Sequence, residues 1–459
     1  MVLGAKEFAE EFSGQRDTTG FGRRSTEPCV TNRMLAGGLV LMVAALLWHI
    51  FAIPIGNPYY GLFDNGLDLD VYRAGGAALR NRSGLYDGPV VFGMDFTYTP
   101  FAALVFVPLT IVSLVTVKAM WWAATLLALI ALTGRCLRTL KYPNTLHTWM
   151  FALVLAVICT VLEPVRSTIW LGQINVFLVL LIVWDLTCPP AARLRGLGVG
   201  IAAGIKLTPA FFLVYLVCTR QWRTLGAAAG AFAATIALGF LARPGDAYSY
   251  WRGQVTAAGR VGAVDSPGNQ SVNGLLAQLL RFFDVERYAS NAFGATVFQP
   301  PTWMWLLALL PVVALGLAAA TLAHRAHREL LAITVTGMTA ACASPFSWGH
   351  HWVWFVPLLI LAWHHACTAA TRWTWLAPAV VVLVAFSWWW TFSDRPPMED
   401  SPHPIGIGLF MMPRADNSVW FAYITVPTYA GCYVLLHILT SCYVIRRTTS
   451  RAPSRQRSE

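Results

Sequence analysis

Met34-Leu-Ala-Gly-Gly-Leu-Val-Leu-Met-Val-Ala-Ala-Leu-Leu-Trp-His-Ile-Phe-Ala-Ile-Pro-Ile55 is an apolar run without an acidic, lysine or arginine side chain. As a helix it suffices to cross the ~30 Å hydrocarbon core of a bilayer. The polar residues 1–33 precede it, the wrong order for a cleaved signal peptide, so the run reads as a retained signal anchor. Composition carries the same message through all 459 residues: 56% are hydrophobic and only 12% charged. Soluble proteins carry about 25% charged residues, and no soluble surface could be built from half that share. The expected fold class is an all-α polytopic membrane protein. Disorder, a coiled coil and a secreted disulfide scaffold are excluded by the same arithmetic.

The net charge of +11 is concentrated beside spans: Arg23, Arg24 and Arg33 before the first, and Arg446, Arg447, Arg451, Arg455 and Arg457 after the last. Such clusters read as cytoplasmic anchors, not as a nucleic-acid surface. The nine cysteines show no CxxC spacing, and eight lie in or beside apolar runs. Neither a zinc site nor structural disulfides are indicated.

Ten full crossings follow, at 34–55, 118–132, 147–162, 176–186, 225–241, 302–322, 331–343, 352–366, 375–390 and 421–445. Segment 99–116 is apolar but short, and 163–175 reads as a polar break. Segment 196–218 has basic residues at both ends (Arg195, then Arg220 and Arg223) and is interrupted by Pro209, just after Lys206. It reads as a broken segment or hairpin with both ends inside. Non-helical backbone at membrane depth needs shelter from protein or a wet cavity, so the break points to a cavity. If the hairpin crosses twice the count is twelve. Tails 1–33 and 446–459 are then cytoplasmic and 34–445 is the membrane domain. Long outer loops fall at about 56–95, 242–301 and 391–420.

Residues able to do chemistry cluster on the outer side. Asp64, Asp68 and Asp70 fall within Asp64-Asn-Gly-Leu-Asp68-Leu-Asp70-Val-Tyr72. Such a loop can be merely solvated, or can hold a general base within hydrogen-bond reach of a hydroxyl. Tyr98, in Phe96-Thr-Tyr98-Thr-Pro100, belongs to an interfacial aromatic belt or lines a cavity below that loop. Gln173 and Asn175 either satisfy a turn or read sugar hydroxyls, since each amide both donates and accepts. Asn269 and Gln270 repeat that chemistry in the second loop. Lys206 is costly in an apolar run and marks a functional site unless it snorkels. Arg166 is a second cation, suited to bidentate phosphate contact. Trp348, His350 and His351 lie at an outer span end. There a histidine polarising a phosphate or pairing with a carboxylate is favoured over a metal pair.

Taken in order, Asp68-Leu-Asp70-Val-Tyr72, Phe96-Thr-Tyr98-Thr-Pro100, Gly172-Gln173-Ile-Asn175, Ile205-Lys206-Leu-Thr-Pro209 and Ser344-Pro-Phe-Ser-Trp348 with His350-His351 resemble one family. It is the GT-C-type, polyprenyl-phosphate-mannose-dependent α-(1→2)-mannosyltransferases of actinobacteria, which extend phosphatidylinositol mannosides and lipomannan. The chain departs from the family's Tyr-Pro-Pro at Tyr98-Thr99-Pro100. The family's aspartate stands four residues before the tyrosine, which selects Asp68 over Asp70.

The resemblance implies a GT-C-like bundle of about 10–12 helices in the plasma membrane, with an extracytoplasmic active site and an inverting reaction. The donor would be polyprenyl-phosphate-mannose, and the acceptor a lipid-anchored mannoside. Tyr72 would join the donor and acceptor contacts. His350 or His351 with Arg166 would touch the donor phosphate, and Lys206 would shape the cavity from below. No nucleotide sugar is implied, and a divalent cation is left open. Two alternatives remain: an arabinofuranosyltransferase using decaprenyl-phosphate-arabinose, and a lipid or solute transporter. The transporter is disfavoured because no internal repeat is found.

Overall fold

A computed structural model describes residues 28–57, 59–256, 261–292, 294–369, 371–391, 405–409 and 429–450. The helices in chain order are α1 (Asn32–Phe51), α2 (Leu67–Asn81), α3 (Pro100–Phe106), α4 (Leu114–Thr139), α5 (Leu146–Cys159) and α6 (Glu163–Leu171). Next come α7 (Asn175–Leu186), α8 (Leu197–Ile205), α9 (Phe211–Cys218), α10 (Trp222–Ala242), α11 (Pro244–Arg252) and α12 (Val272–Phe282). The last are α13 (Thr302–Arg325), α14 (Glu329–Ala343), α15 (Phe355–Thr368), α16 (Leu376–Ala385) and α17 (Cys432–Thr449). Two small antiparallel strand pairs accompany them among the described residues: β1 (Ala289–Ala292) with β2 (Ala295–Phe298), and β3 (Trp389–Thr391) with β4 (Ile405–Ile407). The protein is an all-α polytopic membrane bundle. Among the described residues α1, α4, α10 and α13 are individually long and apolar enough to cross a membrane. The pair α6 and α7, bent by 119°, offers a fifth crossing, and the other apolar helices are shorter.

Most expected spans appear as helices within a few residues of their expected limits. The polar break at 163–175 is different. Residues 163–171 form helix α6, buried along its whole length. Most of its polar side chains find partners within the protein, which is how they tolerate burial. Ser167 and Thr168 donate to carbonyls one turn back, and Glu163 accepts from the Tyr433 hydroxyl (2.6 Å) and the Leu409 amide (3.2 Å). The loops at 56–95 and 242–301 are also structured, containing α2 in the first and α11, α12 and the β1–β2 hairpin in the second. Of the third, only residues 391 and 405–409 are described. Arg446 and Arg447, expected in the tail, continue helix α17.

The broken segment is a hairpin. Helix α8 packs parallel to α10, with Gly196, Gly200 and Gly204 meeting Thr224, Ala228 and Thr235 in turn. Small residues at every fourth position let two membrane helices approach closely. A Cβ at Gly200 would stand 2.3 Å from the Ala228 carbonyl oxygen. At Lys206 the backbone leaves the helix (φ −141°, ψ 128°), turns through Thr208–Ala210, and α9 runs back. Both ends of the hairpin are fastened at one place. Asp185 of α7 accepts from the Gly196 and Val199 amides at the start of α8. Glu329 takes Arg195 (3.4 Å) from before α8, Tyr215 (3.0 Å) from α9 and His324 (2.6 Å) from α13. The tip, with Lys206, is therefore held at the opposite end of α7.

The Gly200→Val substitution must force α8 away from α10. Overpacking of this kind costs about 1–3 kcal/mol, and we expect a lower thermal unfolding temperature in detergent. An unchanged unfolding temperature would contradict the close packing.

Candidate active site

Asp68 and Asp70 both lie in the first turn of α2, where a helix favours negative charge. Two residues along a helix turn the side chain by about 200°, so the two carboxylates face opposite ways. Asp70 pairs with Lys118 of α4 (3.3 Å), whose ammonium also donates to the Asn65 carbonyl (2.7 Å). Asp68 instead faces the Gln173 amide and feels the charge of Lys206. Tyr72 is one turn further along the same face as Asp68. Its hydroxyl donates to Gln173 Oε1 (2.9 Å) and contacts that of Tyr98 (3.0 Å).

The turn between α6 and α7 delivers the amides. Gly172 takes a positive φ of 70°, and a Cβ there would stand 2.8 Å from that of Leu69. Glycine permits both the sharp bend and the contact with α2. Gln173 and Asn175 are thereby buried beside Asp68. From the hairpin tip Lys206 Nζ donates to Asn175 Oδ1 (3.0 Å) and stands 5.7 Å from the centre of the Tyr98 ring. Asn175 Nδ2 donates to the His350 carbonyl (2.7 Å), and the rings of His350 and His351 pack edge to face. A groove opens here. Asn175, Lys206, Thr208 and His351 form its polar lining; Leu178, Val179, Ile182, Phe212 and Trp354 supply an apolar wall.

Asp68, Tyr72, Tyr98, Gln173, Asn175, Lys206, His350 and His351 thus converge from five separated segments. The other expected residues are elsewhere. Arg166 is buried on α6, donating to the Tyr60 carbonyl (2.8 Å), with no carboxylate in ion-pair range among the described residues. Asn269 fastens the second loop, donating to the Val264 carbonyl (2.9 Å) and accepting from Ser271 and the Ser347 amide. Gln270 is likewise occupied, with the Pro267 and Tyr429 carbonyls and the Tyr433 amide. Trp348 packs against Phe346 and the Gly262 turn. Glu163 escaped sequence reasoning, although as the sole carboxylate between Asp95 and Asp185 it was a signal. Among the described residues no three His, Cys, Asp or Glu converge as a metal site.

A model of glycosyltransferase family 87 matches residues 96–345, more than half of the chain. The chain is 33% identical over 373 residues to a polyprenol-phosphate-mannose-dependent alpha-(1-2)-phosphatidylinositol mannoside mannosyltransferase of Mycolicibacterium smegmatis, covering 73% of this chain and 80% of that one. A protein of the same description from Mycobacterium tuberculosis is 29% identical over 427 residues, 88% of this chain and 92% of its own. A third relative, a phosphatidylinositol pentamannoside mannosyltransferase of Mycobacterium tuberculosis, is 33% identical over 387 residues, 81% and 82% of the two chains. The chain belongs to glycosyltransferase family 87. No solved structure matches it.

In this glycosyltransferase the electrostatics separate the two aspartates further. Burial pushes the Asp68 carboxyl up from 3.8 to about 6, against the Gln173 hydrogen bond and the Lys206 charge, which both favour the anion. Burial also raises Asp70, opposed chiefly by Lys118. A carboxyl poised near 6 is ionised at neutral pH yet basic enough to take a proton. A base works only when deprotonated, so kcat should fall as pH drops through about 6. A rate independent of pH between 5 and 7 would remove Asp68 from the chemistry.

Proposed function

We propose that this family 87 enzyme transfers mannose from polyprenyl-phosphate-mannose to a phosphatidylinositol mannoside or related lipid-anchored mannoside. The transfer inverts the anomeric carbon, forms an α-(1→2) linkage and takes place on the outer face of the plasma membrane. One observation carries the reading: a poised carboxylate and a lysine stand on either side of an amide pair, at the mouth of an apolar groove. Such a groove suits a prenyl chain, and Lys206 with His351 suits the phosphate at its head. The names of the relatives support both the mannosyl donor and the glycolipid acceptor, and favour mannose over arabinose. Family membership removes the transporter alternative.

Asp68 accepts the proton from the acceptor hydroxyl as its oxygen attacks C1 of the mannose from the face opposite the phosphate. The bond from C1 to the phosphate oxygen breaks, and β-linked mannose becomes an α-mannoside. The leaving polyprenyl phosphate carries the charge, which the Lys206 ammonium meets in a site of low dielectric. We give the phosphate to Lys206 rather than Arg166 because the hairpin lifts Lys206 to the level of Asn175 while α6 turns Arg166 toward Tyr60. Asn269 and Gln270 from the second loop, with Trp348 from the segment after α14, support the site.

The outer location rests on arginine placement. Arg195, Arg220 and Arg223 flank the fastened end of the hairpin, and the site lies at the other end.

Asp68→Asn should reduce transfer by ~10²–10⁴, the usual contribution of an acid–base group, whereas Asp70→Asn should retain most activity. An inactive Asp70→Asn beside an active Asp68→Asn would reverse the roles. Lys206→Met should raise the KM for polyprenyl-phosphate-mannose by about tenfold or more, the worth of a hydrogen bond to a charged group. An unchanged KM would return the phosphate to other cations. Orientation is tested by replacing the exposed Cys29, Cys218 and Cys442 with serine and placing single cysteines at the exposed Asn81 and Arg193. An impermeant thiol reagent should label Asn81→Cys in intact cells and spare Arg193→Cys; the reverse pattern would overturn the topology.

A further inference from the structure

We infer that Gln173 is a positioning residue for Asp68, its amide locked in one orientation by the hydroxyl of Tyr72. This goes beyond reading Gln173 as a sugar contact, and it rests on Asp68 being the base.

The direction of each hydrogen bond can be followed. The Ile174 amide donates to the Tyr72 oxygen (3.4 Å), occupying one of its lone pairs. The Tyr72 hydrogen is then free to go to Gln173 Oε1, 2.9 Å away. Asn175 is oriented independently: its Oδ1 accepts from Lys206, so its Nδ2 is the donor, lying 2.7 Å from the His350 carbonyl and 3.5 Å from Gln173 Oε1. The Tyr98 hydroxyl also stands 3.5 Å from that oxygen. Three donors therefore surround Gln173 Oε1. Flipping the amide would set its NH2 against the Asn175 NH2, two donors facing with no acceptor between them. The NH2 of Gln173 is left on the side facing Asp68, whose anion it favours.

A donor held this way favours the ionised carboxylate, which is the form a general base requires. It also restrains Asp68 from turning toward Lys206. The groups facing Asp68 are Gln173 from the α6–α7 turn, Lys206 from the hairpin tip, Tyr72 on its own helix and Tyr98 before α3. Of these Lys206 alone carries a charge, while Lys118 faces Asp70. With Lys206 left in place, changing the amide isolates its effect on Asp68.

The test is the pH profile of mannosyl transfer by the full-length enzyme in membranes, with the donor varied. Gln173→Met keeps the length and removes the donor. The acidic limb of kcat should move alkaline by about one pH unit, a tenfold loss of rate at a fixed pH below it, with donor and acceptor KM within twofold. Gln173→Glu keeps the shape and adds a like charge, so its limb should move at least as far. Tyr72→Phe frees the amide and should move the limb less, in the same direction. If the limb stays in place in both Gln173 variants while a KM rises, Gln173 reads a sugar hydroxyl and the inference is wrong. A uniform loss of rate at every pH in both would also overturn it. An Asp68→Asn enzyme that keeps both its rate and its limb would instead overturn the base assignment, so the two failures are distinguishable.

Discussion

The organisation of the site depends on an ammonium group that must find oxygen partners inside an apolar bundle. Lys206 sits where α8 stops, and a lysine in such surroundings costs a few kcal/mol unless a polar cavity receives it. Asn175 Oδ1 supplies that reception at 3.0 Å, and Asp68 supplies the nearby negative charge. Satisfying Lys206 therefore draws the hairpin tip, the start of α7 and helix α2 together. Through Asn175 Nδ2 the same contact reaches the histidine pair.

The hairpin can present Lys206 at one height because its other end does not slide. Asp185 closes the amino end of α8, and Glu329 gathers Arg195, Tyr215 and His324 from before α8, from α9 and from α13. The glycine ladder fixes the remaining degree of freedom, the distance to α10. Polar fastening at one end and close packing along the length leave the tip facing the groove. Both kinds of restraint suit a bilayer, where helix association draws on packing and hydrogen bonds more than on apolar burial.

Four amides illustrate how the same side chain serves two purposes. Asn269 and Gln270 have their donors and acceptors taken by backbone of the second loop and its neighbours, and they hold the 344–348 segment in place. Gln173 and Asn175 are tied instead to Asp68, Tyr72 and Lys206, groups that can act on a substrate. What separates the pairs is the identity of their partners, which sequence position does not reveal.

The sequence by itself determined the class, because a chain with 12% charged residues has no soluble solution. It determined the broken segment as well: Lys206 beside Pro209 between two basic ends leaves few readings. The order of five short motifs reached the family, whereas the shared helical face of Asp68 and Tyr72 appeared only with α2, in a stretch read as loop. The Gly196–Gly200–Gly204 ladder is a local periodicity, but it gained its meaning only when α10 was seen packed against it. Tertiary structure alone decided the rest. Arg166 and Lys206 are both lone cations in apolar surroundings, and only the 119° bend after α6 and the rise of the hairpin send one toward Tyr60 and the other to Asn175. Motif spacing already favoured Asp68 over Asp70, but what each carboxylate meets came only with the fold: Lys118, 48 residues beyond Asp70, takes Asp70 and leaves Asp68 beside Gln173. Local pattern fixes which face of a helix a residue occupies; which neighbour that face meets depends on contacts between segments far apart in the chain.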